Sequence, residues 1–195
     1  MRINFDEAYW QGRYLNNSTG WDIGYVSTPL KSYFDQLEAK EIRILIPGAG
    51  NAYEAAYLWN LGFKHVDVLD VASAPLDMFR QQFPDFPEDQ LIKCDFFDHE
   101  GSYDLIVEQT FFCALDPTLR QDYVKKTKDL LKPNGKLVGV LWNKPMNADR
   151  PPFGGSEEEY DHLFAPFFHL EVLQTAYNSI PPRAGAEAFI KFRKI

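Results

Sequence analysis

Cysteine is nearly absent: Cys94 and Cys113 are the two in 195 residues, and neither belongs to a Cys-x-x-Cys pair or a run of metal-ligand spacing. That excludes a disulfide-rich framework and a cysteine-based zinc site, and the expectation is buried, reduced thiols in a cytoplasmic protein. No apolar run approaches the roughly 18 residues that a membrane helix needs. The opening Met1-Arg2-Ile3-Asn4-Phe5-Asp6-Glu7 lacks the basic-then-apolar profile of a secretory signal, so neither membrane insertion nor export is expected. Positive charge is in deficit as well, with 20 Lys plus Arg against 28 Asp plus Glu and a formal charge of -8. Such a chain repels a nucleic-acid backbone on average, which favours a small-molecule partner. The 4 histidines, His65, His99, His162 and His169, are scattered, and none is expected to be catalytic or to bind metal.

What is present is enough for one domain, since a single domain takes roughly 100 to 200 residues. The composition is 45% hydrophobic and 15% aromatic, without repeats or low-complexity tracts. From residue 42 onward, short β-branched runs alternate with helical stretches, the pattern of a parallel sheet with helices on both faces. The expected strands are Ile42-Ile46, Val66-Leu69, Leu91-Lys93, Asp104-Val107 and Leu137-Leu141, and the expected helices are Asn51-Leu61, Ser73-Phe83 and Pro117-Leu131. Asp116 is suited to cap the last of these with Pro117 at its first position, and Pro133-Asn134-Gly135 to stop it. A loop rich in Pro and Gly follows Leu141, then a capping-box pattern of Ser156 and Glu159. Phe167-Leu173 and Ala188-Arg193 suit a closing antiparallel pair. Residues 1 to 41 hold Tyr9, Trp10, Tyr14, Trp21, Tyr25, Tyr33 and Phe34, and form either packing on the sheet edge or a lid over a core of residues 42 to 195.

The chemistry begins where Ile42-Arg43-Ile44-Leu45-Ile46 runs into Pro47-Gly48-Ala49-Gly50. Glycines at 48 and 50 let a ligand approach the backbone, and the helix that follows offers unpaired N–H groups. Asp70, ending the second strand, is placed to accept hydrogen bonds from ribose hydroxyls. A dinucleotide fingerprint would place a third glycine where Tyr53 stands, so a nucleoside ligand without phosphates fits better. Asp95-Phe96 follows the third strand on the same rim, suited to an adenine amino group and face. Glu108, Gln109 and Thr110 end the fourth strand, also toward the site. An Asn/Asp-Pro-Pro-aromatic turn, associated with methylation of base or glutamine amino groups, is replaced by Glu108-Gln109-Thr110-Phe111.

The Gly-x-Gly turn, Asp70, Asp95-Phe96 and Leu131-Lys132-Pro133-Asn134-Gly135-Lys136-Leu137 resemble class I S-adenosylmethionine-dependent methyltransferases. A closer resemblance rests on Trp10, Gly20-Trp21-Asp22-Ile23-Gly24, Phe111-Phe112-Cys113-Ala114-Leu115-Asp116-Pro117 with Arg120, and Pro151-Pro152-Phe153. Together these are similar, over nearly the whole chain, to the thiopurine S-methyltransferase family, and within it to the thiol and halide methyltransferase branch. The resemblance implies an α/β, Rossmann-like fold with a mostly parallel seven-stranded sheet and an antiparallel C-terminal strand. It implies S-adenosylmethionine as cofactor and S-adenosylhomocysteine as product, with Trp10, Gly48, Asp70, Asp95, Phe96 and Arg120 at the cofactor. Gly50 and Glu108 join that set as rim residues, and Trp10, Tyr14 and Trp21 as aromatic faces for a sulfonium. Trp21 and Arg120 are the expected catalytic residues, Trp21 closing the site and Arg120 attracting an anionic acceptor or the cofactor carboxylate. The chain departs from the thiopurine enzymes at Gly48-Ala49-Gly50 and Trp21, which points toward a thiol, hydrosulfide, thiocyanate or halide acceptor. Two other readings stand beside this one: a hydroxyl or carboxylate acceptor, with Glu108 or Tyr14 as base, and a non-catalytic binding domain.

Overall fold

The computed structural model describes residues 5–195. Five parallel strands run β1 (Ile44–Pro47), β2 (Val66–Asp70), β3 (Leu91–Lys93), β4 (Tyr103–Gln109) and β5 (Leu131–Trp142). β6 (Phe168–Thr175) and β7 (Glu187–Lys194) complete a seven-stranded sheet in the order β3-β2-β1-β4-β5-β7-β6, with β7 antiparallel to both its neighbours. The order reverses between β1 and β4, and ligands of open α/β sheets bind at such a reversal, outside the carboxyl ends of the strands.

Side-chain alternation divides the interior into two cores. Ile44, Ile46, Leu105 and Val107 point to one face, under α2 (Thr28–Phe34), α3 (Tyr53–Asn60) and α4 (Ser73–Gln82). Leu45, Ile106, Leu137 and Ile190 point to the other, under α5 (Arg120–Leu130) and α6 (Glu157–Phe164). α1 (Glu7–Leu15) is capped by Asp6, whose carboxylate accepts the Tyr9 N–H at 3.1 Å.

Most boundaries move by a residue or two from their sequence-based places, and the larger shifts have local causes. Asp116 does cap a turn, but Pro117–Leu119 is a 3-10 turn and the α-helix proper starts at Arg120. The helix stops at Leu130, before Pro133-Asn134-Gly135; that turn is absorbed into β5 as an irregularity, with Asn134 at φ 63. Half of the capping box forms: Ser156 accepts the Glu159 N–H at 3.2 Å, while the Glu159 carboxylate turns to Arg120 instead of back to Ser156. The two cysteines are unpaired; Cys113 is buried and Cys94 half-buried. No helix among the described residues is long and apolar enough to cross a membrane.

Candidate active site

β1 delivers the chain into a turn that favours glycine. Gly48 has φ +57, and a Cβ there would lie 2.2 Å from the ring of Phe111; Gly50 has φ +55, with the Tyr14 hydroxyl 3.1 Å from a Cβ built on it. The Ala49 N–H is held by the Leu69 carbonyl at 3.2 Å, which ties the turn to β2. Asp70, at the end of β2, accepts the Gly50 N–H at 3.3 Å and the Ala72 N–H at 2.9 Å. The carboxylate is 5% exposed. Burial pushes its pKa up to about 6, with the N–H groups of Ala72, Gly50 and Val71 opposing the shift.

The N-terminal segment covers this turn. On α1, Trp10 and Tyr14 stand one helical turn apart and both meet Trp21 edge-on, at 5.6 and 5.8 Å between ring centroids. Burial first, then the charge of Asp70, holds the Tyr14 phenol well above its ordinary range, so it stays protonated. Asp22 stitches the segment to α3, accepting the Asn51 amide at 2.6 Å and the Tyr53 hydroxyl at 3.2 Å. Buried Glu54 accepts the Ser27 N–H at 2.9 Å. Between this segment and the turn lies a cavity of about 50 Å³ lined by Trp21, Asp22, Gly48, Gly50, Asn51, Gln109 and Thr110, among others. Ligand pockets for larger molecules span roughly 300 to 1,000 Å³. The donors and acceptors of the turn fit a nucleoside cofactor, a group larger than this cavity.

A second cavity, of about 10 Å³, is lined by Glu108, Thr110, Cys113, Val140, Leu141, Trp142 and Glu187. That is room for about one water-sized body. Thr110 lines both cavities and holds φ +60, a strained conformation for a β-branched residue. Burial pushes the Cys113 thiol up to about 12, with the nearby Glu108 charge adding to the shift.

Three of the residues singled out from sequence play other parts. Glu108 does not face the cofactor cleft: it is fully buried, accepting the N–H groups of Phe111 and Phe112 at 2.8 and 2.9 Å and the Tyr123 hydroxyl at 2.7 Å. Its role is to shape the loop after β4, and burial pushes its pKa up to about 7. Arg120 lines neither cavity. Its guanidinium is buried in an ion pair with Glu159, donates to the Gly154 carbonyl at 2.7 Å and lies over Phe112 at 4.9 Å, which clamps the loop before α6. The Phe96 ring is 2% exposed and packs on Phe111 and Tyr123, so it supports the floor and offers no free face to an adenine. Asp95 remains on the rim, exposed, accepting the Phe97 N–H at 2.8 Å. Trp10 lies one layer back, with its indole N–H on the Phe5 carbonyl at 3.1 Å.

Sequence reasoning passed over Arg183. It donates to the Trp21 carbonyl at 2.7 Å, pairs with buried Glu187 at 3.2 Å and lies over Trp142 at 5.3 Å, joining the lid to the wall of the small cavity. The spacing of Arg183 and Glu187 around Gly185 was the available signal. Among the histidines, His99 is bound to the Tyr103 hydroxyl at 2.7 Å, remote from both cavities. No group of three or more His, Cys, Asp or Glu converges among the described residues to hold a metal.

The family model for thiopurine S-methyltransferase matches residues 5–192. The chain belongs to the thiopurine S-methyltransferase family. Its members transfer a methyl group from S-adenosylmethionine, and this chain is a methyltransferase of that kind. Similar relatives include a probable thiol methyltransferase 2 of Arabidopsis thaliana, 26% identical over 95% of this chain and 84% of the relative. A thiocyanate methyltransferase 1 of Brassica oleracea is 25% identical over 97% and 86%, respectively. A thiopurine S-methyltransferase of Vibrio vulnificus is 26% identical over 96% and 94%. Among solved structures, a Burkholderia thailandensis 1,6-didemethyltoxoflavin-N1-methyltransferase, bound to S-adenosylhomocysteine, superposes with a TM-score of 0.78 at 17% identity, covering 96% of this chain and 86% of that one. That likeness establishes the shared Rossmann-like fold.

Proposed function

We propose that this methyltransferase acts on a small acceptor, a thiol, hydrosulfide, thiocyanate or halide, in the cytoplasm. The observation that carries the reading is the nucleoside-type turn together with a second cavity, of about 10 Å³, that shares Thr110 with the cleft at that turn. A ring-bearing acceptor would need that wall rebuilt far more than a nucleophile of one to three heavy atoms. When bound, the cofactor supplies a methyl group already activated by the positive sulfur, so the protein's tasks are alignment and exclusion of water. In this reading Gly48 and Gly50 let the methionine part lie along the backbone, Asp70 accepts from the ribose, and Asp95 sits at the adenine. Trp21, backed by Trp10 and Tyr14, closes over the methyl group, its ring contributing roughly 0.5 to 2 kcal/mol toward a cation.

A hydroxyl acceptor needs a base to take its proton, and the candidates are poorly placed. Glu108 already accepts three hydrogen bonds, and the Tyr14 phenol stays protonated. An acceptor that ionises readily, or is already an anion, needs none. The two unpaired cysteines agree with a reducing compartment.

The test is methyl transfer from labelled S-adenosylmethionine to hydrosulfide, thiocyanate, iodide and 4-nitrothiophenol, set against phenol and carboxylate acceptors. Turnover is expected on the small sulfur or halide nucleophiles. Turnover confined to hydroxyl or carboxylate compounds overturns the acceptor, and S-adenosylhomocysteine binding with no turnover on any compound makes the chain a silent binding domain.

A further inference from the structure

A buried polar atom with no partner is costly, so such atoms are few in a folded protein and each calls for an explanation. Five side-chain atoms of this kind occur among the described residues: Arg13 Nε, Asn51 Oδ1, Gln109 Oε1, Arg120 Nε and Thr127 Oγ1. Two of them share one cavity, and a third lies against a residue of its wall. Asn51 and Gln109 line the larger cavity, and the Arg13 guanidinium lies 5.4 Å from the ring centroid of Trp21, which lines it too.

Arg13 is also the exception among its kind. Arg43, Arg80, Arg120, Arg150, Arg183 and Arg193 each have a carboxylate within ion-pair distance, and Arg13 has none among the described residues. The Asn51 amide is oriented by its donation to Asp22, which leaves Oδ1 as a free acceptor. The carboxyl groups of Asp22 and Glu54 border the same cavity beside the two amide oxygens. The cleft thus presents two unpaired acceptors, and behind its Trp21 wall stands a cationic donor with no carboxylate partner among the described residues; together they complement a zwitterion with one carboxylate and one ammonium group.

On the reading of this cleft as the S-adenosylmethionine site, we infer that Arg13 binds the carboxylate of the cofactor's amino-acid end. Asn51 and Gln109 accept its ammonium protons. Because Arg13 rides on α1, the bound carboxylate draws the lid down: the group that anchors the cofactor also closes the site. Arg13 takes over the carboxylate contact that the sequence had offered to Arg120.

Calorimetric titration with two ligands tests this. S-adenosylhomocysteine carries the amino-acid end, and 5'-methylthioadenosine keeps the nucleoside and thioether without it. Arg13→Met is expected to weaken S-adenosylhomocysteine about 10- to 100-fold, the range for a hydrogen bond to a charged group, and to leave methylthioadenosine unchanged. Gln109→Leu is expected to show the same selectivity at about 3- to 10-fold. Arg13→Lys, which keeps the charge and loses the fork, recovers part of the loss and serves should the methionine variant fold poorly. Equal weakening of both ligands reduces Arg13 to a prop for Trp21 and overturns the inference, as does unchanged S-adenosylhomocysteine affinity. A wild-type protein that binds neither ligand overturns the cofactor reading of the cleft as well, a separate outcome.

Discussion

The rim above β1 and β2 and the rim above β4 and β5 are built from similar materials and used differently. Each carries a buried carboxylate that accepts backbone N–H groups: Asp70 on the first, Glu108 on the second. Asp70 spends its bonds on the turn that borders the cleft. Glu108 also takes a tyrosine hydroxyl from α5 and lies wholly inside. A strand-end acid is therefore a binding group or an internal brace according to what the next helix offers it. On the first side, α4 offers N–H groups alone; on the second, α5 offers Tyr123.

Four substitutions would break or sharpen that contrast. Arg120→Met is expected to cost the most, about 3 kcal/mol of folding stability in urea. That is the low end for a broken buried ion pair, because Glu159 keeps 38% side-chain exposure. Its S-adenosylhomocysteine affinity should stay near wild type once folded, and a selective loss of affinity would return Arg120 to the site.

Glu108→Gln comes next. The folded-state pKa of Glu108 is raised from 4.5 to about 7, so its contribution is intact below pH 4.5 and is lost as pH rises through 7. The variant, titrating nothing, is expected to gain about 3 kcal/mol on wild type between those limits. Parallel stability profiles in thermal unfolding would show that Glu108 is not held in a raised state.

Asp70→Asn is expected to weaken S-adenosylhomocysteine about 10- to 100-fold by calorimetry. If instead Asp70 behaved like Glu108, the loss would appear in stability alone. Last, Trp21→Leu removes a cation–π face and should lower kcat/KM by about 3- to 30-fold, corresponding to roughly 0.5 to 2 kcal/mol. A larger fall accompanied by loss of fold would mark Trp21 as core and not closure.

The same contrast explains which parts were legible in advance. β1, β2, the Gly48–Gly50 turn and Asp70 follow from local pattern, since an apolar run must be buried and positive φ selects glycine. The closing antiparallel pair was visible for the same reason. The fates of Glu108, Arg120 and Phe96 were not local. Each depended on a partner 15 or more residues away in sequence: Tyr123 for Glu108, Glu159 for Arg120, and Phe111 with Tyr123 for Phe96. Arg183 escaped notice because its partner, the Trp21 carbonyl, lies 162 residues off and carries no side-chain signature. Asp116 succeeded as a cap because capping is settled within one turn.

Cys113 gives the small cavity one more meaning. A protein proposed to alkylate sulfur keeps a sulfur of its own in the adjoining wall, where automethylation would inactivate it. Burial pushes this thiol's pKa up to about 12, and the neutral form is a poor nucleophile. The burial that holds the proton on Cys113 therefore keeps that thiol from attacking the enzyme's own methyl donor, while an acceptor that is already an anion remains free to attack.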